Sequence, residues 1–125
     1  MNFDDYQVAA HSTAVYPGHS SNGGLVYLAL KLNGEAGEVA EDIGKMVRDG
    51  RLPCDTNGAL ITCGDSLALS DEDKKKILLE LGDVLWYVSE IASSLGFRLG
   101  EVAYHNLWKL RDRAERGTIK TRTDS

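Results

Sequence analysis

The sequence places acidic residues in two pairs, each with a spacing of three. Glu35 and Glu38 form the first pair, and Glu80 and Asp83 form the second. This spacing puts both carboxylates of a pair on one side of a helix, about one turn apart. Two like charges about 4 Å apart repel by about 4 kcal/mol at an effective dielectric constant of about 20. If the pairs meet, the carboxylates must therefore share protons or bind a cation.

The types of ligand atom restrict which cation this group could hold. Oxygen ligands without a histidine or cysteine favour Mg²⁺, Mn²⁺ or Ca²⁺ over Zn²⁺. A ferritin-like di-iron site needs a histidine three residues after a glutamate on two helices, whereas those positions hold Glu38 and Asp83 here. The alternative is that both pairs are solvated, as acidic residues on a helix surface commonly are.

Glycines lie among the acidic pairs, at Gly34, Gly37 and Gly82. A glycine inside a helix costs about 1 kcal/mol relative to alanine. We therefore expect another backbone or a ligand to approach the helices closely at these positions.

Helical periodicity indicates the elements that carry these residues. We predict four helices, over residues 4–16, 25–48, 71–95 and 99–116. Asn2 caps the first helix and Pro17 ends it, whereas Ser70 and Asp73 form a capping box for the third and Gly96 ends it. The result is an all-α fold.

The second and third predicted helices each carry an apolar stripe, and the acidic pairs border it. The stripes are Leu28, Leu32, Ala36, Val39, Ile43 and Met46, then Ile77, Leu81, Val84, Val88, Ala92 and Leu95. Asp42 borders the same face as Glu35 and Glu38. Packing of the two helices side by side would bring the four carboxylates together. Because Leu79 and Trp86 project opposite the stripe, we expect the third helix to be buried against a second copy of the chain, the alternative being a buried central helix.

A segment at about 51–69 separates these two helices. Asn57-Gly58 within it predicts a small hairpin over a type I′ turn. A structureless loop of this length is uncommon in a compact domain, so we expect the segment to form a lid or an interface.

The cysteines and histidines show no metal-ligand spacing. A zinc site at Cys54 and Cys63 would lack two ligands, so we interpret both as ordinary loop thiols. We interpret His11, His19 and His105 as surface or capping residues.

The composition argues against several kinds of partner. Nineteen acidic residues against 14 basic ones give a formal net charge of −5, whereas nucleic-acid backbones bind basic surfaces. No apolar run approaches the roughly 20 residues of a membrane span, and no secretion signal is evident. We expect a single cytoplasmic domain over residues 1–125, with 118–125 as a flexible tail.

A basic strip on the fourth predicted helix offers complementary charge. Asn106, Lys109 and Arg113 lie within about 60° of one another around that helix. One interpretation is a basic C-terminus that the helix dipole favours. Beside a cluster of metal-binding acids, the strip could instead hold the outer oxygens of a polyphosphate.

Three segments resemble the MazG-like nucleoside triphosphate pyrophosphohydrolases of the all-α NTP pyrophosphatase superfamily. They are LKLNGEAGEVAEDIGKMVRDG (30–50), LLELGDVLWYVSEIASSLG (78–96) and NLWKLRDRAERG (106–117). That family is marked by an ExxE motif followed by an ExxD motif, here Glu35-Ala-Gly-Glu38 and Glu80-Leu-Gly-Asp83. The N-terminal FDDYQVAAHSTAVYP is also similar to the opening helix of short members.

The resemblance implies a four-helix bundle completed by homo-oligomerisation, as a homodimer or a dimer of dimers. It implies Mg²⁺-dependent hydrolysis of an NTP or dNTP to the monophosphate and pyrophosphate, in cleansing of the nucleotide pool. The metal ligands would be Glu35, Glu38, Glu80 and Asp83, and the phosphate-binding residues Asn106, Lys109 and Arg113. The alternatives are a pyrophosphohydrolase acting on dUTP or phosphoribosyl-ATP, or a non-catalytic helical interaction module.

In the implied reaction, water attacks the α-phosphorus and pyrophosphate leaves. We choose Glu38 ahead of Glu35 as the carboxylate that takes the proton, because it lies farther from the predicted core. Tyr87 or Trp86 could stack on the nucleotide base, the alternative being a buried aromatic residue.

Overall fold

The computed structural model describes residues 1–55, 62–63 and 69–117. The predicted tail at 118–125 and the Asn57-Gly58 turn lie outside these residues. The elements in chain order are α1 (Phe3–His11), α2 (Asn22–Arg48), β1 (Cys54–Asp55), β2 (Thr62–Cys63), α3 (Asp71–Ser94) and α4 (Leu99–Glu115). The predicted all-α fold of four helices is confirmed, with one short strand pair between α2 and α3. None of the described helices is both long enough and apolar enough to cross a membrane.

The ends of α1 are set by side-chain hydrogen bonds. Asn2 caps the helix as predicted, since its Oδ1 accepts a hydrogen bond from the Asp5 backbone N–H at 2.8 Å. The helix ends at His11 rather than near Pro17. The hydroxyls of Ser12 and Thr13 donate to backbone carbonyls of the last turn, at 2.6 and 2.7 Å. These bonds satisfy carbonyls that a longer helix would have used.

The ends of α3 lie where the sequence predicts them. The Ser70 hydroxyl accepts a hydrogen bond from the Asp73 backbone N–H at 3.1 Å, which is one half of the predicted capping box. The Asp73 carboxylate pairs with Arg51 instead of completing the box. Beyond the other end, Gly96 has a φ of 79°, which a glycine adopts without the steric cost that a side chain would bring.

The chain divides into two compact units, and the first comprises Met1–Leu25 and Ser89–Ser125. Here α1 packs against α4. The Gln7 side chain donates to Ser93 Oγ at 3.0 Å and to the Phe97 carbonyl at 2.9 Å, and accepts from the Leu99 backbone N–H at 2.8 Å. Gln7 therefore joins α1 to the end of α3 and the start of α4. The buried apolar residues of this unit are Ala10, Ala92 and Leu99.

The second unit comprises Val26–Val88. Residues late in α2 meet residues early in α3, as in the ion pair between Asp42 and Lys76, so the helices run antiparallel. Leu28 and Met46 of the predicted α2 stripe are buried, at 0% and 1% exposure. Leu81, which we expected on the buried stripe of α3, is 50% exposed.

The segment between α2 and α3 contains a short antiparallel strand pair. Its register differs from that of the predicted hairpin. β1 and β2 are antiparallel and place Asp55 opposite Thr62 and Cys54 opposite Cys63. A two-residue turn at Asn57-Gly58 would instead place Asp55 opposite Leu60, so the predicted register is wrong. The interpretation of Cys54 as a free thiol is also wrong, because it is disulfide-bonded. A covalent bond from a strand residue restricts slippage of the register, and the local turn residues could not reveal it.

Candidate functional site

The predicted carboxylates lie on the facing sides of α2 and α3, within the second unit. Glu35 is half-buried and Glu38 exposed, whereas on α3 Glu80 is half-buried and Asp83 exposed. The charge of Glu35 interacts with those of Glu38 and Asp83, and that of Glu38 with Glu80. All four therefore belong to one electrostatic group, which we call the carboxylate cluster. The two helices place the four carboxylate charges close enough to interact, and their binding of a shared cation stays a prediction.

Burial and like charge favour proton binding at Glu35. Burial makes the largest contribution to its raised pKa, and repulsion from Glu38 and then Asp83 raises the pKa further. Glu35 and Glu38 also form a side-chain hydrogen bond, which two carboxyl groups can make only when one carries a proton. In the absence of a cation, protons therefore supply part of the neutralisation that the cluster needs.

A second acid pair extends the cluster towards the end of α2. A hydrogen bond with Asp42 is the main reason that the pKa of Glu80 rises to about 7, and burial raises it further. The same hydrogen bond is the main cause of the lowered pKa of Asp42, and Lys76, 3.6 Å away, also lowers it. Glu80 is thus the protonated partner and donates to the Asp42 carboxylate.

Asp42 and Lys76 were not among the predicted site residues. Asp42 lies four residues after Glu38, so helical spacing already placed it on the same side of α2. Lys76 lies four residues before Glu80 on α3 and meets Asp42 only when the two helices pack. Helical periodicity alone could therefore have indicated Asp42 as a site residue, whereas the contact of Lys76 with Asp42 depends on the tertiary fold.

Several carboxylate oxygens in the cluster lack partners. One oxygen each of Glu35, Asp42 and Glu80 is buried without a hydrogen bond, which is costly for a polar atom removed from water. Among the described residues, no three of the four predicted carboxylates have ligand atoms within 4.8 Å of one another. Mutual repulsion opposes a closer approach in the absence of a cation. The arrangement therefore has oxygen atoms suited to a hard divalent ion without forming a closed cage.

The interleaved glycines do not face a neighbouring backbone. A Cβ atom added at Gly34, Gly37 or Gly82 would meet no atom within 4 Å. No backbone within the described part of the chain therefore approaches these positions. The approach of a ligand, or of a backbone from another molecule, stays a prediction.

Tyr87 lies beside the carboxylate cluster. It is half-buried, and burial raises its pKa most, followed by the neighbouring Tyr27 and Glu35. Its ring meets that of Trp86 edge to face, with the ring centroids 4.9 Å apart. Stacking of Tyr87 on a nucleotide base stays a prediction.

The predicted phosphate-binding residues lie on α4, in the first unit. Asn106 and Lys109 are exposed and Arg113 is partly exposed. Their helical spacing is confirmed, since α4 runs unbroken through all three positions. Their contact with a phosphate stays a prediction.

His11 is exposed, as expected, and it also contacts a buried carboxylate. Its Nδ1 lies 3.0 Å from a carboxylate oxygen of the fully buried Glu90. The two residues are 79 positions apart, so no local spacing could have indicated this pair.

We predict that the metal-free protein loses stability as the pH rises from about 4.5 to about 7. The folded state keeps the Glu80 proton up to a pKa of about 7, against an ordinary value of 4.5, so the unfolded state releases it first. The raised pKa of Glu35 likewise makes the folded state lose stability as the pH rises. The lowered pKa of Asp42 changes the stability only below about pH 3.8, its ordinary pKa.

Denaturant titrations in EDTA across this pH range would measure the effect. The Glu80→Gln variant should show a shallower decline than the parent, because its amide has no proton to release. Identical pH profiles for parent and variant would contradict the assignment of the proton to Glu80.

The helices and their facing carboxylates define an all-α protein with a group of interacting acidic side chains on two neighbouring helices. Comparison of the sequence identifies the family: the MazG nucleotide pyrophosphohydrolase domain matches residues 26–118. The chain therefore belongs to the MazG family, and the predicted resemblance is confirmed. The matched region includes both acidic motifs and the basic strip of α4.

A full-length relative comes from a bacteriophage. The Gene 37 protein of Mycobacterium phage L5 is 38% identical over 128 residues, which cover 100% of this chain and 99% of that protein. No solved structure matches the chain.

Proposed function

We propose that this protein hydrolyses a nucleoside or deoxynucleoside triphosphate to the monophosphate and pyrophosphate in a Mg²⁺-dependent reaction. The observation that carries the proposal is the group of partnerless buried carboxylate oxygens on the facing sides of α2 and α3. These oxygens lie inside a domain of the nucleotide pyrophosphohydrolase family. Removal of unwanted nucleotides from the cytoplasmic pool is the role that we assign to the activity.

The proposed metal ligands are Glu35, Glu38, Glu80 and Asp83. Their donor set consists of oxygen atoms alone, which suits Mg²⁺, with Mn²⁺ as a substitute. When bound, Mg²⁺ would neutralise the carboxylates and polarise the phosphate oxygens of the substrate. The protons held by Glu35 and Glu80 would have to leave as the ion enters, so the affinity for the metal should rise with pH.

We assign the general base to Glu38. It is exposed to solvent, whereas its neighbour Glu35 is half-buried. Glu38 would accept a proton from the attacking water as the water oxygen forms a bond to the α-phosphorus. The bond from that phosphorus to the bridging oxygen breaks, and pyrophosphate leaves. Glu35, one helical turn before Glu38 on α2, would bind the metal ion beside the base.

The proposed substrate contacts use side chains outside the carboxylate cluster. Lys109 and Arg113 would stabilise negative charge on the departing phosphates, with Asn106 as a neutral hydrogen-bonding partner. Tyr87 would stack on the base. The proposed assembly is a homodimer or a dimer of dimers, and the exposure of Leu79, at 62%, supports a second copy of the chain as the cover for α3.

The experiment that tests this function is a product analysis over the common NTPs and dNTPs, with dUTP and phosphoribosyl-ATP included. We expect equal amounts of monophosphate and pyrophosphate from at least one nucleotide in MgCl₂ and none in EDTA. Diphosphate and orthophosphate as products would show attack at a different phosphorus. Absence of turnover with every nucleotide would favour the non-catalytic interaction module instead.

A further inference from the structure

A second group of potential metal ligands lies in the first unit. His11, His19 and Glu90 each offer one ligand atom, and these atoms all lie within 4.8 Å of one another. His11 Nδ1 is 3.0 and 3.2 Å from the two Glu90 carboxylate oxygens. The rings of His11 and His19 have their centroids 5.5 Å apart. We call these three residues the histidine cluster.

Glu90 is an unusual residue to bury. Its side chain is 0% exposed, whereas His11 beside it is 48% exposed. A carboxylate removed from water needs a partner of opposite charge, or a metal ion, to offset the lost hydration. One partly solvated imidazole supplies only part of this compensation, so the position is suited to a cation.

The loop between α1 and α2 holds His19 in a defined place. A Cβ at Gly24 would overlap the Gly18 carbonyl oxygen, so the two ends of the turn approach as only glycine permits. Ser20, the next residue after His19, has a φ of 63°. Its hydroxyl lies 2.9 Å from His19 Nδ1, which leaves Nε2 as the nitrogen for a ligand role.

We propose that His11, His19 and Glu90 bind a transition-metal ion of the Zn²⁺ class. Two imidazole nitrogens and one carboxylate oxygen match the ligands that Zn²⁺ prefers, unlike the all-oxygen carboxylate cluster. Three protein ligands leave a fourth position for water. The ion would join α1, the loop that carries His19 and the Glu90 end of α3, so its binding should stabilise the first unit.

The direct test is calorimetric titration of the metal-free protein with Zn²⁺ in excess Mg²⁺, which competes for the carboxylate cluster. We expect one zinc equivalent per chain and a rise in the thermal unfolding temperature. His19→Gln should weaken zinc binding by at least about tenfold, since loss even of a residue that only supports a ligand costs this much. His19 is exposed, so this variant should fold normally, and circular dichroism would verify it.

Two controls separate this site from the proposed enzyme site. His105→Gln removes the third histidine, which lies exposed on α4, and should leave zinc binding unchanged. A Glu38→Gln variant should keep its zinc equivalent even if it has no hydrolytic activity. With Co²⁺ as the probe, the parent should show the visible absorption of nitrogen ligation, and His11→Gln and His19→Gln should lose it.

Two results would overturn the proposal. The first is an absence of zinc binding in excess Mg²⁺, which would leave His11 and Glu90 as a simple polar pair. The second is equal zinc affinity in the parent and His19→Gln with a loss in Glu38→Gln, which would place the zinc in the carboxylate cluster. Neither result depends on whether the protein hydrolyses nucleotides.

Discussion

Replacing Glu38 by Gln or Asp83 by Asn should lower Mg²⁺-dependent pyrophosphate release by at least about a hundredfold, in the range found when one group that stabilises a transition state is removed. Each substitution keeps the size and polarity of the side chain but removes its negative charge. Both side chains are exposed, so the folded state should tolerate the change. The measurement is the rate of pyrophosphate release at saturating MgCl₂, with Mg²⁺ affinity determined separately by calorimetry.

The matched control is Glu41→Gln. Glu41 lies on the same helix, is 62% exposed and pairs with Lys45 at 3.1 Å. It already pairs with Lys45 and is not one of the proposed metal ligands, so loss of its charge should change the rate less than about twofold, because an exposed ion pair of this kind contributes little. If Glu38→Gln and Asp83→Asn hydrolyse nucleotides as fast as the parent, the proposed metal and base assignments are wrong.

The two variants should also differ from each other. Loss of Asp83 removes a proposed ligand and should weaken Mg²⁺ affinity, so excess Mg²⁺ should restore part of the rate. Loss of Glu38 removes both a ligand and the proposed base, so excess Mg²⁺ should restore little. Equal recovery of both variants would argue against Glu38 as the base.

The helices and the carboxylate cluster were predictable because their signals are local. Residues three and four apart lie on one side of a helix whatever surrounds it. The spacing of Glu35 with Glu38 and of Glu80 with Asp83 therefore survives into the fold. Capping is equally local, as the hydrogen bonds of Asn2 and Ser70 illustrate.

The other features depend on contacts between distant parts of the sequence. The pairing of His11 with Glu90 joins residues 79 positions apart, and neither residue carries a local sign of its partner. The strand register failed for a related reason. Asn57-Gly58 favours one local turn, but the observed pairing joins Cys54 to Cys63 in register. Cys54 is also disulfide-bonded, which no local turn residue indicates.

The exposed apolar residues of α3 show where periodicity overestimates burial. Leu81 lies on the predicted stripe but is 50% exposed, and Leu78 is 65% exposed. A stripe identifies the side of a helix that avoids water, but it does not say which surface covers it. We propose that a second copy of the chain covers this side of α3 and thereby completes the helical bundle.

Among the side chains that the structure describes in the first unit, Gln7 should have the largest effect on stability. It is 9% exposed, and its amide makes hydrogen bonds to Ser93, Phe97 and Leu99 at 2.8 to 3.0 Å. Replacement by leucine removes all three bonds and leaves the buried Leu99 N–H without its acceptor. We expect the free energy of unfolding to fall by about 2–4 kcal/mol. The orphaned Leu99 N–H costs about 1–3 kcal/mol and the other two lost bonds about 1 kcal/mol each, and the added apolar burial of leucine offsets about 1 kcal/mol of this.

Urea denaturation of Gln7→Leu would measure this loss, with Val8→Ala as the matched control. Val8 is the next residue on α1 and is 75% exposed, so its truncation should change stability by less than about 0.5 kcal/mol. Leucine nearly preserves the volume of glutamine and adds apolar burial, so a destabilisation would arise from the hydrogen bonds and not from a cavity. If Gln7→Leu is as stable as Val8→Ala, the three hydrogen bonds of Gln7 do not stabilise the packing of α1.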